Sequence, residues 1–274
     1  MNKEVLVYLL SKICMGMGIA MCAPLIMSVC YGESCYEDYI LSISLAMIIA
    51  SIFNWYGRDA SFKDISVREG IGTVFFSWII AAGIAALPFT MRGILDPISA
   101  YFETMSGLTT TGATAISDLE VLPKSILFWR SVTHWIGGIG IIVLFVALLP
   151  QIAGSAVYLF NAEVSGFSNS RILPRIRTTA IALFYIYLLI TIILAGILSA
   201  LGMSNFDAVN HAFSTIATGG FSTYNSSVTH FNSAPIEYTI AIFMILSGGN
   251  FALYYHITQN GLKVLWQDLE FKIY

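Results

Sequence analysis

The chain has 274 residues, of which 57% are hydrophobic and 11% are charged, and its mean hydropathy is +0.78. Soluble domains carry roughly 25% charged residues, so this composition excludes an ordinary soluble domain and predicts an integral membrane protein. The formal net charge of −3 excludes little, because the positions of charges along a membrane chain carry more information than their sum.

Six apolar stretches predict membrane spans, since a helix needs about 20 apolar residues to cross the bilayer core. They lie at about 5–29, 39–56, 68–90, 124–149, 178–202 and 236–258. Two further segments, 97–116 and 205–223, are too polar and too short to cross. Each begins with a helix-start signal, Asp96 followed by Pro97 in the first and Ser204 in the second.

Both short segments end in a run of Ser, Thr and Gly, reading SGLTTTGAT at 106–114 and STIATGGFS at 214–222. At an offset of 108 residues the two runs share Ser106/Ser214, Thr110/Thr218 and Gly112/Gly220. The spans that follow both carry a Gly-Gly pair, in IGGIGIIVLF at 136–145 and SGGNFALYYH at 247–256. The order of span, short helix, polar loop and span therefore occurs twice, which predicts a duplicated unit.

Lys and Arg predict how the spans are oriented. One side carries Lys3, Arg58, Lys63, Arg68, Arg171, Arg175, Arg177, Lys263 and Lys272, and the other carries only Arg92 and Lys124. The richer side is expected to be cytoplasmic, together with the N-terminus. Both Thr/Gly loops then enter from the outer face, so the repeat is parallel. This argues against a polar-solute carrier, which would have inverted repeats.

The predicted fold class is an all-α membrane protein with two channel-like repeats in parallel orientation. We expect an N-terminal two-helix hairpin at 1–60 and a first pore repeat at 61–150. A cytoplasmic connector at 151–177 leads to a second pore repeat at 178–260. The last segment, 261–274, is expected to begin a third unit.

The Thr/Gly loops are candidates for a cation filter. Non-helical backbone at membrane depth is tolerated where it lines a cavity or is buried in protein. Glycine lets successive carbonyls point at one axis, and dehydrated K⁺ needs such a ring of oxygens. The candidate ligands are Thr110, Thr111, Gly112, Ala113, Thr218, Gly219, Gly220 and Phe221. The alternative is that both are ordinary outer loops.

Charged side chains near the loops are expected to be structural in part. Arg130 lies within the fourth span, and we expect it to pack against Glu103 or Asp118 rather than to contact an ion. Glu103 either attracts cations or holds the first short helix through a salt bridge. Asp207 is expected to interact with the dipole at the start of the second short helix. No metal site is expected at His134, His211, His230 and His256.

The sequence resembles the Trk/Ktr-type potassium uptake family over nearly its whole length. The motifs are FETMSGLTTTGATAI (102–116), FWRSVTHWIGGIGIIVLFVALLP (128–150), NAEVSG (161–166), PRIRTTA (174–180), HAFSTIATGGFST (211–223) and IFMILSGGNFALYY (242–255). The resemblance implies that Gly112 and Gly220 are filter glycines and that potassium is the transported ion. It also implies location in the bacterial plasma (inner) membrane. Neither an enzyme nor an organic cofactor is expected, since no catalytic or nucleotide-binding motif occurs.

Members of that family have four repeats around one pore, whereas this sequence carries two. The resemblance therefore implies the N-terminal half of a transporter, whose partner would be the C-terminal half with the third and fourth repeats. A homodimer and a cytoplasmic nucleotide-binding regulatory subunit, meeting loops at about 161–178, are also implied. No nucleic-acid partner is expected. The alternative is a non-transporting membrane fragment, or a structural or regulatory partner, without a closed pore.

Overall fold

The computed structural model describes residues 3–61, 67–148 and 172–249, together with 251, 253–254, 257, 261 and 271–272. Side chains at 67–71, 141–148 and 172–179 lie outside this set. The predicted connector at 151–177 and the predicted last segment at 261–274 therefore fall mostly outside the described residues, and both stay predictions.

Every element in the described part of the chain is helical. In chain order the elements are α1 (Lys3–Ala20), α2 (Cys22–Cys30), α3 (Tyr36–Tyr56), α4 (Val67–Ala85), α5 (Leu87–Met91), α6 (Pro97–Leu108), α7 (Lys124–Leu148), α8 (Ile172–Ala200), α9 (Asn205–Ile216), a 3-10 helix (Ser227–Phe231) and α10 (Ala234–Gly248). The predicted all-α class agrees with this architecture.

Four helical stretches among the described residues are long and apolar enough to cross a membrane. They are Lys3–Cys30, Tyr36–Tyr56, Gly72–Met91 and Ala180–Ala200. These coincide with four of the six predicted spans, and the fourth predicted span corresponds to α7. The sixth predicted span, 236–258, begins as the apolar 15-residue helix α10, and most residues beyond Gly248 lie outside the described set.

The helical backbone is interrupted within α7 but not between α1 and α2. Met21, at the boundary of α1 and α2, keeps right-handed helical dihedrals, and its N–H donates to the Met17 carbonyl at 3.1 Å, so Lys3–Cys30 runs as one helical stretch. Within α7, Gly140 adopts φ 75° and ψ 140°, so two helical runs meet at a kink there. A residue with these dihedrals leaves the α region and interrupts the hydrogen-bond ladder. The span expected at about 124–149 therefore contains a kink that the sequence analysis did not predict.

Among the described residues, buried side chains form two apolar clusters. The first joins the N-terminal helices to α6 and α7 and includes Tyr39, Phe89 and Trp129. The second joins α8, α9 and α10 and includes Leu194, and Trp135 of α7 packs against it. Helix α7 therefore connects the two clusters, and both short helices, α6 and α9, pack against it.

Buried hydrogen bonds to backbone carbonyls hold these helices together. Trp129 Nε1 donates to the Ala85 carbonyl at 2.9 Å, and Thr104 Oγ1 donates to the Ala82 carbonyl at 2.8 Å. Lipid tails are as apolar as leucine, so packing and interhelical hydrogen bonds stabilise membrane helices more than apolar burial does. These two bonds fix α6 and α7 against α4.

Candidate functional site

The two short helices α6 and α9 begin with side-chain caps, as their sequences predicted. Asp96 accepts hydrogen bonds from the backbone N–H groups of Ile98 and Ser99, at 3.0 and 3.2 Å. The hydrogen bonds from Ser99 lower the pKa of the Asp96 carboxyl below its usual range. Ser204 accepts from the backbone N–H of Asp207 at 3.1 Å. Each helix has 12 residues, and in each the cap satisfies backbone N–H groups of the first turn.

The helices also end alike, at positions 108 residues apart. The backbone N–H of Thr110 donates to the Gly107 carbonyl at 3.1 Å, and that of Thr218 donates to the Thr215 carbonyl at 3.0 Å. One residue further on, the N–H groups at 111 and 219 reach the carbonyls five residues back, both at 2.9 Å. The chain therefore leaves both helices with the same backbone turn.

Each loop then places every second residue in the left-handed region. Thr110 and Gly112 have φ of 54° and 77°, and Thr218 and Gly220 have φ of 56° and 89°. A β-branched residue with positive φ is an outlier, and such strain persists only where the surroundings enforce it. Two threonines share this conformation at equivalent positions, so the loop geometry is imposed by the fold and not by glycine alone.

The residues that follow each loop, Thr114 and Ser222, form hydrogen bonds with the short helix that precedes the same loop. Thr114 Oγ1 donates to the Glu103 carboxylate at 3.0 Å, and Ser222 Oγ lies 3.1 Å from His211 Nε2. In both loops the hydroxyl also accepts the backbone N–H two residues further on, at 3.1 Å. The pairs 103/211 and 114/222 again differ by 108, which extends the sequence repeat to residues of different type.

The two loops touch each other. A Cβ atom added to Gly112 would collide with the carbonyl oxygen of Gly219, whereas one added to Gly220 would meet nothing within 4 Å. Gly219 and Phe221 are buried, whereas the other six candidate ligands are exposed or half-buried. The two loops therefore lie in contact, and six of the eight candidate residues are at least partly exposed. Because the Phe221 side chain has no oxygen, its only candidate ligand atom is the backbone carbonyl oxygen.

The buried side chain of Arg130 contacts residues next to both loops. Its side chain is only 1% exposed, and Nε lies 2.7 Å from Glu103 Oε1. One terminal nitrogen donates to the Ser222 carbonyl at 3.0 Å and the other to Thr114 Oγ1 at 3.3 Å. The guanidinium also lies over the Phe221 ring, 4.1 Å from its centroid. The guanidinium group of Arg130 thus contacts Thr114, which follows the first loop, and Ser222, which follows the second.

The expected pairing of Arg130 with Glu103 is confirmed, and its other expected partner, Asp118, instead accepts a hydrogen bond from Asn225 at 2.9 Å. Glu103 is itself 1% exposed, which favours its salt-bridge role over attraction of cations. The contact of Arg130 with Ser222 was missed, because it depends on how the two units pack and no local pattern signals it.

Asp207 and His134 also support the second loop. Asp207 lies in the first turn of α9, as expected for a dipole partner. It is buried, and its carboxylate accepts from Ser204 Oγ at 2.6 Å and from Thr223 Oγ1 at 2.8 Å. The His134 ring stacks on Phe221 with centroids 3.9 Å apart, and Nδ1 lies 3.2 Å from Ser214 Oγ. His256 lies outside the described residues. Within the described set, no group of His, Cys, Asp and Glu could hold a metal ion.

The Gly-Gly pair of α7 packs directly on the ends of both short helices. A Cβ atom on Gly137 would collide with the Leu108 carbonyl oxygen, and one on Gly138 would lie 2.7 Å from Ala217 Cα. Small residues at such positions let helix backbones approach closely. Helix α7 therefore fixes the distance between the two loops.

We expect Gly137→Ala to destabilise the protein by about 1–3 kcal/mol, because the added methyl group meets backbone that cannot rotate away. Gly196→Ala is the matched control, since its Cβ would have nothing within 4 Å and alanine favours a helix by about 1 kcal/mol over glycine. Thermal denaturation in detergent, followed by size-exclusion chromatography, measures both. Equal midpoints for the two variants would contradict the close contact at Gly137.

Together these features define a multi-span helical membrane protein in which short capped helices end in paired Thr/Gly loops. The family model described as TrkH, Cation transport protein, matches residues 38–272. The chain therefore belongs to the TrkH family of cation transport proteins, which confirms the family that the sequence motifs indicated.

Its relatives are named as transport proteins and not as enzymes. The Trk system potassium uptake protein TrkH of Salmonella typhimurium is 40% identical over 258 residues, covering 93% of this chain and 53% of the relative. TrkH of Escherichia coli K12 is 38% identical with the same coverage. The crystal structure of the potassium transporter TrkH from Vibrio parahaemolyticus gives a TM-score of 0.83 at 32% identity, covering 99% of this chain and 56% of that one. The chain spans about half the length of the curated relatives it matches.

Proposed function

We propose that this chain supplies two of four filter loops through which potassium permeates the bacterial plasma membrane, with its N-terminus in the cytoplasm. The observation that carries the proposal is the matched left-handed pair in each loop, Thr110 with Gly112 and Thr218 with Gly220. The filter ligands would be the backbone carbonyls and threonine hydroxyls of 110–113 and 218–221.

The backbone geometry supports cation binding for a physical reason. When left-handed and right-handed residues alternate, successive peptide planes turn so that their carbonyls can share one side of the chain. A row of such oxygens replaces the water shell that an ion loses on entering a narrow pore. The C-terminal ends of α6 and α9 lead into these loops and add partial negative charge, which favours a cation over an anion.

The open side of the loops supports a pore-lining role. Irregular backbone at membrane depth has to be buried in protein or to line a water-filled cavity, because lipid offers it no hydrogen bonds. Thr111, Ala113 and Gly220 are exposed in this chain. Further loops from outside residues 1–274 would complete the ring of oxygens, since two loops enclose an ion on one side only.

The relatives named as potassium uptake proteins support potassium as the ion. The homodimer and the nucleotide-binding regulatory subunit rest on resemblance to the family. The expected meeting region for that subunit, 161–178, lies mostly outside the described residues.

The test is growth of a potassium-uptake-deficient bacterium at low potassium. The strain would carry this chain alone, or together with the complementary half of the Salmonella relative, each with and without Gly112→Ser. We expect rescue only with both halves, and loss of rescue with Gly112→Ser. If the unsubstituted chain is shown to be in the membrane but rescues growth neither alone nor with the complementary half, the proposal is overturned in favour of a non-transporting fragment.

A further inference from the structure

A lysine lies inside the first apolar span, remote from the two loops. Lys12 is in the third turn of α1, within the stretch Lys3–Cys30. Its Nζ lies 3.3 Å from Asn54 Oδ1 and 4.6 Å from the centroid of the Tyr8 ring. No carboxylate of the described residues forms an ion pair with it. Cations within spans are costly and usually mark a function, and no carboxylate in the described part of the chain neutralises this one.

The Lys12 side chain lines a groove between α1 and α3. The groove has a volume of about 380 Å³, and Arg58 lines it together with Lys12. Arg58 pairs with Asp59, but the two side chains are 64% and 79% exposed, so this ion pair is weak and can exchange. Two cations and the Asn54 amide therefore face one cavity.

Exposed aromatic side chains beside the cavity indicate that it lies near the level of a membrane surface. Trp55 and Tyr56, at the end of α3, are 60% and 65% exposed, and their rings pack edge to face. Exposed Trp and Tyr at the end of a span are typical of the headgroup region. Just beyond them, a Cβ atom on Gly57 would lie 2.7 Å from the backbone of Tyr8, so α1 and α3 are in contact there. The groove thus closes toward water and continues along the helices toward the bilayer interior.

The lining changes from charged to apolar along this direction. Lys12, Asn54 and Arg58 lie at the charged end, and Met15 and Met47 lie at the apolar end. The lining is completed by Ser11, Ala50, Ser51 and Trp55. A phospholipid likewise has a charged phosphate at one end and an apolar acyl chain at the other. Basic pockets between membrane helices bind anionic headgroups. A zwitterionic lipid would bring its own ammonium group toward two cations, which disfavours it.

We propose that this groove is a binding site for an anionic phospholipid, with Lys12 and Arg58 on the headgroup phosphate and the acyl chain along Met15 and Met47. The site is independent of the Thr/Gly loops and of the function proposed for them. Each cation near a membrane surface is expected to contribute about fivefold to the affinity for an anionic lipid, so removal of both weakens binding about twentyfold or more.

The test is retention of lipid by the full chain, taken from nanodiscs of equal phosphatidylglycerol and phosphatidylethanolamine and measured by native mass spectrometry. The wild type is expected to retain phosphatidylglycerol selectively. Lys12→Gln with Arg58→Gln is expected to lose it about twentyfold. Lys3→Gln with Lys272→Gln makes the same change in net charge outside the groove and is expected to stay within about twofold of wild type.

A second variant tests the apolar part of the groove without altering charge. Met47→Trp fills the apolar part and is expected to reduce lipid retention about as much as the charge variant. If the double variant does not fold, Arg58→Gln alone replaces it as the charge variant, because Arg58 lies beyond the end of α3. The proposal would be overturned by equal losses in the two charge variants, by equal retention of both lipids, or by displacement of the lipid by millimolar inorganic phosphate.

Discussion

Gly112→Ser is expected to abolish potassium uptake by the completed transporter, whereas Gly220→Ser is expected to leave a measurable fraction. Both glycines have positive φ, so any other residue at either position is strained by about 1–2 kcal/mol. Only at Gly112 does a carbonyl oxygen, that of Gly219, occupy the space of the new Cβ. The serine must therefore push the two loops apart, which displaces the oxygens proposed to bind the ion.

Uptake of rubidium as a potassium tracer, in cells carrying both halves, would measure the two variants side by side. We expect Gly112→Ser to be at least tenfold slower than Gly220→Ser, which corresponds to about 1.4 kcal/mol. Gly93→Ser is the control for strain alone, since Gly93 has φ 71°, no neighbour within 4 Å of its Cβ position, and no place in the loops. Equal uptake in the Gly112 and Gly220 variants would refute the role of the contact between loops.

The sequence predicted the features that depend on neighbouring residues. The caps at Asp96 and Ser204 were predictable because a side chain that caps a helix lies within three residues of the N–H it accepts. The 108-residue offset, read from three shared residues, predicted that the two loops correspond, but it did not predict the positive φ of Thr110 and Thr218. Local chemistry and internal repetition therefore account for the starts of the short helices and for the correspondence of the two loops, whereas the strained threonine conformations come from the surrounding fold.

The features that the sequence did not predict arise where separate elements meet. The contact of Gly112 with Gly219 depends on how α7 spaces the two short helices, and nothing within either loop signals it. The kink at Gly140 lies in a uniformly apolar run whose pattern is that of a continuous helix. Lys12 was overlooked because a single charge hardly changes the hydropathy of a long apolar stretch.

Arg130→Gln is expected to produce the largest loss of stability of any change at the site. It would leave the Glu103 carboxylate, 1% exposed, without its cation. Removal of one partner from a buried ion pair typically costs about 3–5 kcal/mol, because the remaining charge stays in a medium that solvates it poorly. Hydrogen bonds from Thr114 and the Ala115 N–H to Glu103 remain and offset part of this loss.

Thermal denaturation of the purified chain in detergent measures the effect, and Asp59→Asn is the control because it breaks an ion pair whose side chains are exposed. That control is expected to change stability by less than about 1 kcal/mol. The double variant Arg130→Gln with Glu103→Gln is expected to recover part of the loss, since no buried charge is left unpaired. A single variant no less stable than Asp59→Asn would contradict a structural role for the buried pair.

Arg130→Lys separates the charge of the cation from its shape. Lysine keeps the charge near Glu103, but a single ammonium group cannot reproduce the planar fork that contacts Glu103, Thr114 and the Ser222 carbonyl together. We expect Arg130→Lys to recover much of the stability that Arg130→Gln loses but little of the potassium uptake. That outcome would mean that the charge stabilises the fold, while the fork holds the two loops in the register that a filter needs. Recovery of stability and uptake to the same extent would mean that charge alone is required.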